Sequence, residues 1–591
     1  AGIAPLSIVV PILGDLGVDV SLLVVGAAIG SGGDAGAGSA GVSVFTTTTR
    51  SILGMGAELK GGGDVILRAL DDTRVIDVIG ALAGSKEKKG IGVGLDVMVL
   101  VKTTEATALE ATLPVPATRL ESGGSLTVEA VGTEDLFALS VNIGAGDSTA
   151  VAGGAVIIVN DTDTLAQLGA LDGVVGGVVA TANGSVQIAA ESRTLIDAAA
   201  GSLGLSFSND GVGASVAVVV DLDRTLASVG NGIAVRALGL ATPIPVRNGV
   251  FGADGQQGVA NVLGFALTAT SFEDILLVGI GAAGSLSGGD VGVGFSVAVG
   301  VVKGEALATL GTAATINGIP AANTTAPAMQ AILVRAADQT NVQTIVGGVA
   351  VAGGSAFGGA VSILEVDNNV GATAAGGNTL RSKGAITFDA SGATRIDALA
   401  IGVSGTLATG QSGGGSSGSS SSDFSFTGAG SVAVNDVGGS VRATIGTGST
   451  LRSSGGLVVS ASDASRITAD AGGATIAIDT GGSDPSIAIG ASIAVNSFDS
   501  TVEAALLNGN SIVKSAAIGA VAAAQIDALT LAGGVGVGTQ GGTAFAGAGS
   551  GSGNNISSSV QALLTGGTMN AAGGVLLSAA DTSRINADAG S

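Results

Sequence analysis

LVVSASDASRITADAG (residues 457–472) and VLLSAADTSRINADAG (residues 575–590) are two copies of one pattern, and that pattern decides the fold. Each reads apolar-x-apolar-x-Ala, then five residues, then another apolar residue. In the first copy Leu457, Val459, Ala461, Ile467, Ala469 and Ala471 share one parity, while Arg466, Thr468 and Asp470 hold the other. A side-chain period of two is that of a β-strand, one face turned to a core and one to solvent. A second alternating stretch, IAIGASIAVNSFDSTVEAAL (487–506), follows in the same unit. There Ile487, Ile489, Ala491, Ile493 and Val495 alternate, and the phase slips at Asn496–Ser497 before Val502 and Ala504. Such a slip predicts a bulge or a corner.

The pattern recurs nine times, around Ala69, Ala130, Ala189, Ala269, Ala336, Ala390, Ala461, Ala520 and Ala579. Successive anchors lie 61, 59, 80, 67, 54, 71, 59 and 59 residues apart. The longest interval holds ATPIPVRNGVFGADGQQG (241–258), and the interval of 71 holds the Ser/Gly run QSGGGSSGSSSSD (411–423); both read as insertions. Without them the period is close to about 60 residues. The second strand region recurs as well, in AVIIVNDTDTLA (155–166), ASVAVVVDLDRTLA (214–227), FSVAVGVVKGEALA (295–308) and GSVAVNDVGGSVRA (430–443). Gly interrupts nearly every ten-residue window, so helices longer than a turn or two are not expected.

The predicted fold is therefore all-β, an elongated β-solenoid (β-helix-like) of about nine tandem repeats of ~60 residues, with inward Val, Ile and Ala forming ladders. Residues 1–50 read as a cap or divergent repeat and residues 51–591 as one continuous rod. A 60-residue coil is large for a single turn, and the alternation alone leaves open one coil per unit, two or three coils, or long antiparallel hairpins. The Ala and Gly at inward positions predict a thin core, with sheets closer than the usual ~10 Å. The chain stops inside a repeat copy, at INADAGS, and so reads as a piece of something longer.

Composition excludes much of chemistry. The 591 residues contain no Cys, His, Trp or Tyr, but 103 Gly. Gly without a G-X-Y period, and only 9 Pro, exclude collagen. A hydrophobic share of 46% excludes general disorder. The net charge of −23 argues against a phosphate-backbone partner, so no nucleic acid is expected. The apolar N-terminal stretch is broken by Asp15 and Asp19 and is too short and too rich in Gly and Ala for a span, so no membrane span is expected in this segment.

Without His or Cys the usual nucleophilic triads and zinc sites are missing, and no catalytic residue or cofactor is assigned. A carboxylate pair of glycosidase type is the remaining enzymatic option, but the acids are scattered over outward and turn positions. Acidic turns could hold Ca²⁺, the best candidates being Asp161 and Asp163 with Asn160, and Asp221 with Asp223; Asp71-Asp72 stands behind them. Calcium takes six to eight oxygens, and neither an EF-hand loop nor a GGxGxD array is present. Asx-turn capping is the commoner use of such residues. Arg74, Arg395, Arg466 and Arg584 each sit five residues after an anchor Ala, and are expected to pair outside the coil with acids such as Asp463, Asp470, Asp581 and Asp588. Sequons stand at Asn160, Asn183, Asn323 and Asn555.

LVVSASDASRITADAGG with IGASIAVNSFDSTVEA (within residues 457–504) resembles the repeats of large bacterial surface proteins, the leukotoxin-like and filamentous-haemagglutinin-like adhesins. Weaker copies extend the resemblance over most of residues 50–591. It implies export to the cell surface, a solenoid shaft, and adhesive or scaffolding work, and it brings no catalytic residues. The expectation is a non-catalytic structural protein of an extracellular filament, sheath or adhesin, self-associating end to end or laterally, with glycans or a cell surface as further partners. The alternatives are a glycan- or calcium-binding adhesin module and, further off, a polysaccharide-active β-helix enzyme.

Overall fold

In the computed structural model the chain is all-β, and its strands stack in parallel as a solenoid. The structure describes residues 6–11, 18–112, 115–172, 175, 177–252, 255–285, 291–318, 325–408, 425–480, 485–539 and 543–591; the Ser/Gly insertion 411–423 lies outside them. Each repeat forms one coil. In the first full coil a long strand, Val65–Ser85, turns into a second, Lys89–Ala108, which leads to a short third, Thr118–Ser122. The next coil repeats this as Leu126–Gly146, Thr149–Leu168 and Val178–Ala182. First strands stack into a front sheet, second strands into a back sheet, and short strands into an end sheet. One coil per repeat resolves the choice that the alternation left open. Strands of 20 or 21 residues make a coil about 65 Å across, and each coil adds about 4.8 Å of height.

Register is conserved throughout. Ala69 pairs with Ala130, Ala130 with Ala190, Ala190 with Ala269, and the ladder continues without slip to Ala579. The third anchor is therefore Ala190 rather than Ala189, because in VQIAA the residue that follows the Val186–Ile188 parity is the second Ala. Residues 18–53 continue the same sheets: Val18–Gly30 stacks on the front sheet and Ala35–Leu53 on the back sheet. A short strand, Leu6–Pro11, pairs antiparallel with Val18–Gly30 at that edge. The corner between back and end sheets is turned by residues in the left-handed region, as at Gly377 (φ +77°) and Gly448 (φ +75°), where the absent Cβ removes the steric cost. Part of insertion 241–258 forms an antiparallel hairpin, Ile244–Phe251 with Gln257–Val262, against the outside of the front sheet. Val246 packs there with Ala266 and Leu333, and Phe251 stacks on Phe272 with ring centroids 5.7 Å apart.

The coil has a wide body and a thin wing. In the body, beside the end sheet, Leu67, Leu126, Ile188, Phe265, Ile332 and Phe388 fill the space between sheets. In the wing, where each front strand turns into its back strand, the sheets nearly touch. A Cβ at Gly281 would lie 2.0 Å from the Phe295 carbonyl oxygen, and one at Gly213 would lie 1.9 Å from that of Ala282. Only Gly fits these two positions. Most other inward positions of the wing hold Gly, Ala or Ser, as the abundance of small residues predicted, with Asn142, Thr406 and Thr427 among the exceptions.

That closeness overturns one expectation. Strand Ser486–Leu507 runs straight through Asn496–Ser497 with no bulge. Its inward residues are Ala488, Gly490, Ser492 and Ala494, while Ile489, Ile493 and Val495 point outward and are 46, 48 and 43% exposed. The wing thus has small residues inside and branched aliphatics outside. The body, with Leu457, Val459 and Ile467 at 0–1% exposure, follows the expected order.

Candidate functional site

The four calcium candidates lie within strands Thr149–Leu168 and Gly211–Val229, which corrects their reading as turn residues. Strand pleating sends them to opposite sides of the back sheet. Asp161 is exposed and Asp163 half-buried on the outside, where Arg224 approaches Asp163 to 3.9 Å; Asp221 and Asp223 are buried inside at 0 and 3% exposure. These four carboxylates do not converge. Asp71 is turned toward the core, and Asp72 is outside, accepting from the Thr133 hydroxyl at 2.7 Å. Of the sequons, Asn160 is buried, Asn183 and Asn555 are exposed, and Asn323 lies outside the described residues.

Two of the recurrent arginines form ion pairs between coils, with other acids than those expected. Arg74 reaches Asp135 at 3.3 Å and Arg466 reaches Asp527 at 2.9 Å, while Arg584 donates to the Gln525 side chain at 2.6 Å. Arg395 stacks in register on Arg466. Asp463 belongs to the interior, accepting from the Ser465 hydroxyl at 2.5 Å, and Asp581 accepts from Ser558. The rule is lateral: Arg68–Glu129 at 2.5 Å, Arg50–Glu105 at 2.9 Å and Lys60–Glu121 at 2.8 Å likewise join one coil to the next. Exposed pairs of this kind contribute at most about 1 kcal/mol each.

Between two apolar compartments of the body runs a buried polar seam that the sequence reading did not anticipate. At one end Lys102, 2% exposed, places Nζ 2.9 Å from Asp71 and 2.8 Å from Glu134, and donates to the Thr133 carbonyl at 2.9 Å. Removing one partner of a buried pair costs about 3–5 kcal/mol, because the other is left uncompensated. Further along the stack the seam has carboxyls without a cation. Asn160 donates to Asp221 at 2.7 Å, and the Thr162 hydroxyl donates to Asp223 at 2.9 Å. Ser271 Oγ lies 2.5 Å from Asp223 Oδ2 and 2.6 Å from Glu273 Oε1. A hydroxyl carries one proton, so one of these two carboxyls must itself be protonated and donate. Thr340 closes the chain, 2.7 Å from Glu273 and 3.3 Å from Asp338, and accepts from Asn368 at 2.6 Å.

Burial dominates the electrostatics of the seam. It pushes Asp221 up to about 8, aided by the neighbouring Asp223 charge, and Asp338 up to about 7. It also raises Asp223 and Glu273, and raises Glu134 against the pull of Lys102. Asp71 differs: burial is outweighed by bonds from Thr49 and Lys102, and its pKa is lowered. A second acidic pair, Asp77 and Asp96, stacks on Ala138 and Val156 at the edge of the second apolar compartment, where burial pushes Asp96 up to about 7. The seam is thus a proton-sharing structural layer, bridged by Ser, Thr and Asn hydrogen bonds, although Asp221 Oδ2 and Asp338 Oδ1 are buried without a hydrogen-bond partner. Among the described residues no group of three or more His, Cys, Asp or Glu side chains is placed to hold a metal ion.

A clue to the seam does lie in the sequence. Asp163, Arg224 and Glu305 are in register and fix the outward parity of the back sheet, which leaves Asp221, Asp223 and Thr225 inside.

The wing's outer faces are the other unassigned surface. On the back sheet, Phe295 lies over Gly359, where a Cβ would come 2.6 Å from the ring, and Phe357 packs with Phe426 at 5.4 Å. On the front sheet, one column of residues alternates coil by coil between an aliphatic and a glycine. Its aliphatic members, Val25, Val141, Ile280, Ile401 and Leu531, are 39–53% exposed. Among the described residues no helix is long and apolar enough to cross a membrane. No family model, no curated protein and no solved structure matches this chain.

Proposed function

We propose that this chain is a non-catalytic structural protein, a segment of the shaft of an extracellular filament, sheath or adhesin. One observation carries the reading: every coil binds the next in full register through three parallel sheets, with outer ion pairs joining neighbouring coils. Stability then comes from summed neighbour contacts, as in other repeat proteins. The interior supports the same reading, because the seam carboxyls Glu134, Asp221, Asp223, Glu273 and Asp338 are sealed at 3% exposure or less and serve the packing of coils. A chain without Cys is indifferent to an oxidising exterior, which suits export.

Negative-stain electron microscopy of the purified native material tests this. Rods or sheets whose diffraction shows a repeat near 4.8 Å along the stack are expected. Isolated globular particles without that repeat would remove the reading.

A further inference from the structure

We propose that a second copy of this chain docks on the outer face of the front-sheet wing, interdigitating with it one coil out of step. The proposal rests on the structural reading above and adds the surface and the partner.

The face is apolar and unpartnered. In the alternating column and the two columns beyond it toward the wing tip, coil after coil from Gly80 to Val535, no charged or hydrogen-bonding side chain points outward. Val351, Val403 and Ile476 are 50, 37 and 50% exposed. From column spacing and coil rise the patch covers roughly 760 Å², close to the ~800 Å² per partner of a standard specific interface. Exposed apolar patches of this size on soluble chains mark interaction sites.

Relief selects the occupant. Gly80, Gly201, Gly347 and Gly472 are the holes between the aliphatic knobs. Within the single chain most of them have no packing reason to be glycine. A Cβ at Gly347 would meet nothing within 4 Å, and the nearest atoms at Gly201 and Gly472 would lie at 3.9 and 3.8 Å, ordinary contact. The inner glycines differ, since a Cβ there would strike backbone near 2 Å. Glycine weakens a strand, and a strand glycine with open space before it marks a close approach from outside. Knobs and holes alternate with a period of two coils, about 9.6 Å. A second copy of this face shifted by one coil sets knobs against holes along its whole length. A lipid surface has no such relief. The back-sheet wing does not offer this fit, because Phe295 already occupies the space over Gly359.

Sedimentation equilibrium of the full chain over a micromolar series tests the proposal, beside the double variant Gly201→Ile/Gly347→Ile. Filling the holes adds β-branched residues where the single chain has room, so the variant's melting temperature should equal or exceed that of the parent. The parent is expected to sediment as a multiple of 55.5 kDa, and the variant to associate at least about tenfold more weakly. As a second arm, Ile280→Thr/Ile401→Thr keeps β-propensity, removes two knobs, and should weaken association in the same way. A parent that stays a single chain throughout, or variants that associate as the parent does, would overturn the docking face, even if micrographs still show stacked coils. Flotation of the single chain with phosphatidylcholine vesicles, without self-association, would overturn it in favour of a lipid surface.

Discussion

Asp221 shows at a single side chain how this interior is balanced. Its carboxyl takes one hydrogen bond from Asn160 and otherwise faces Asp223, Glu134 and Asp338 across the seam. An acid whose folded pKa lies above its unfolded value near 3.9 holds its proton more tightly in the folded state. Its stabilising contribution is therefore full below about pH 4 and is lost as the pH rises through about 8. Asp338, Asp223 and Glu273 are raised as well and act in the same direction. Thermal melts should accordingly show stability falling between pH 5 and pH 8, by up to about 4 kcal/mol for one such carboxyl. Asp221→Asn keeps the shape and removes the titration, so its melting temperature should depend less on pH than the parent's. An equally steep dependence in the variant would show that the seam does not titrate. The ordinary acid-denaturation trend of paired carboxylates runs the other way, which makes the sign itself informative.

At the scale of the strand, the deciding quantity is the gap between sheets. Gly281 and Gly213 exist because opposite backbone comes within about 2 Å of where a Cβ would sit. Gly281→Val should therefore cost at least about 1–3 kcal/mol through overpacking, seen as a lower melting temperature with faster amide exchange in the wing. A melting temperature equal to the parent's would mean that the sheets part more easily than this geometry implies. The same gap explains what the sequence did and did not disclose. Around Ala461 one parity carries Arg466 and Asp470, so inside and outside were legible. Across IAIGASIAV both parities are uncharged, and hydrophobicity alone assigned the large residues to the core. Steric room made the opposite assignment. The seam stayed hidden because Asp221 and Asp223 stand in a run whose two parities are both apolar upstream. Only register with Asp163 and Glu305, which is a property of stacked coils, separates the two faces.

For the whole molecule, one coil per repeat turns a sequence period into a spatial one. The anchor ladder from Ala69 to Ala579 was legible except at its third rung, where Ala190 and not Ala189 is in register, because an inward Ala cannot change register without turning its strand's faces over. The number of coils per unit was not, since about 60 residues suit one broad coil as well as several narrow ones. Middle coils are covered on both sides, whereas Val575, Leu577 and Ile585 in the last coil are 47–50% exposed. Local opening in such stacks follows neighbour contacts. Hydrogen exchange on this chain should thus be slowest in the strands between residues 186 and 408 and fastest between 544 and 591, with a graded change from coil to coil. Uniform protection along the chain would indicate a single cooperative unit instead.

The breadth of the coil sets an economy of reach. Each unit of about 60 residues raises the stack by about 4.8 Å, so the chain uses about twelve residues per ångström of height, whereas an α-helix needs less than one. A gene that lengthens such a protein gains little distance and a great deal of flank. Every added unit contributes two strips of outer wall, each as long as a twenty-residue strand. Growth by duplication therefore widens the area offered to neighbours far faster than it extends the tip.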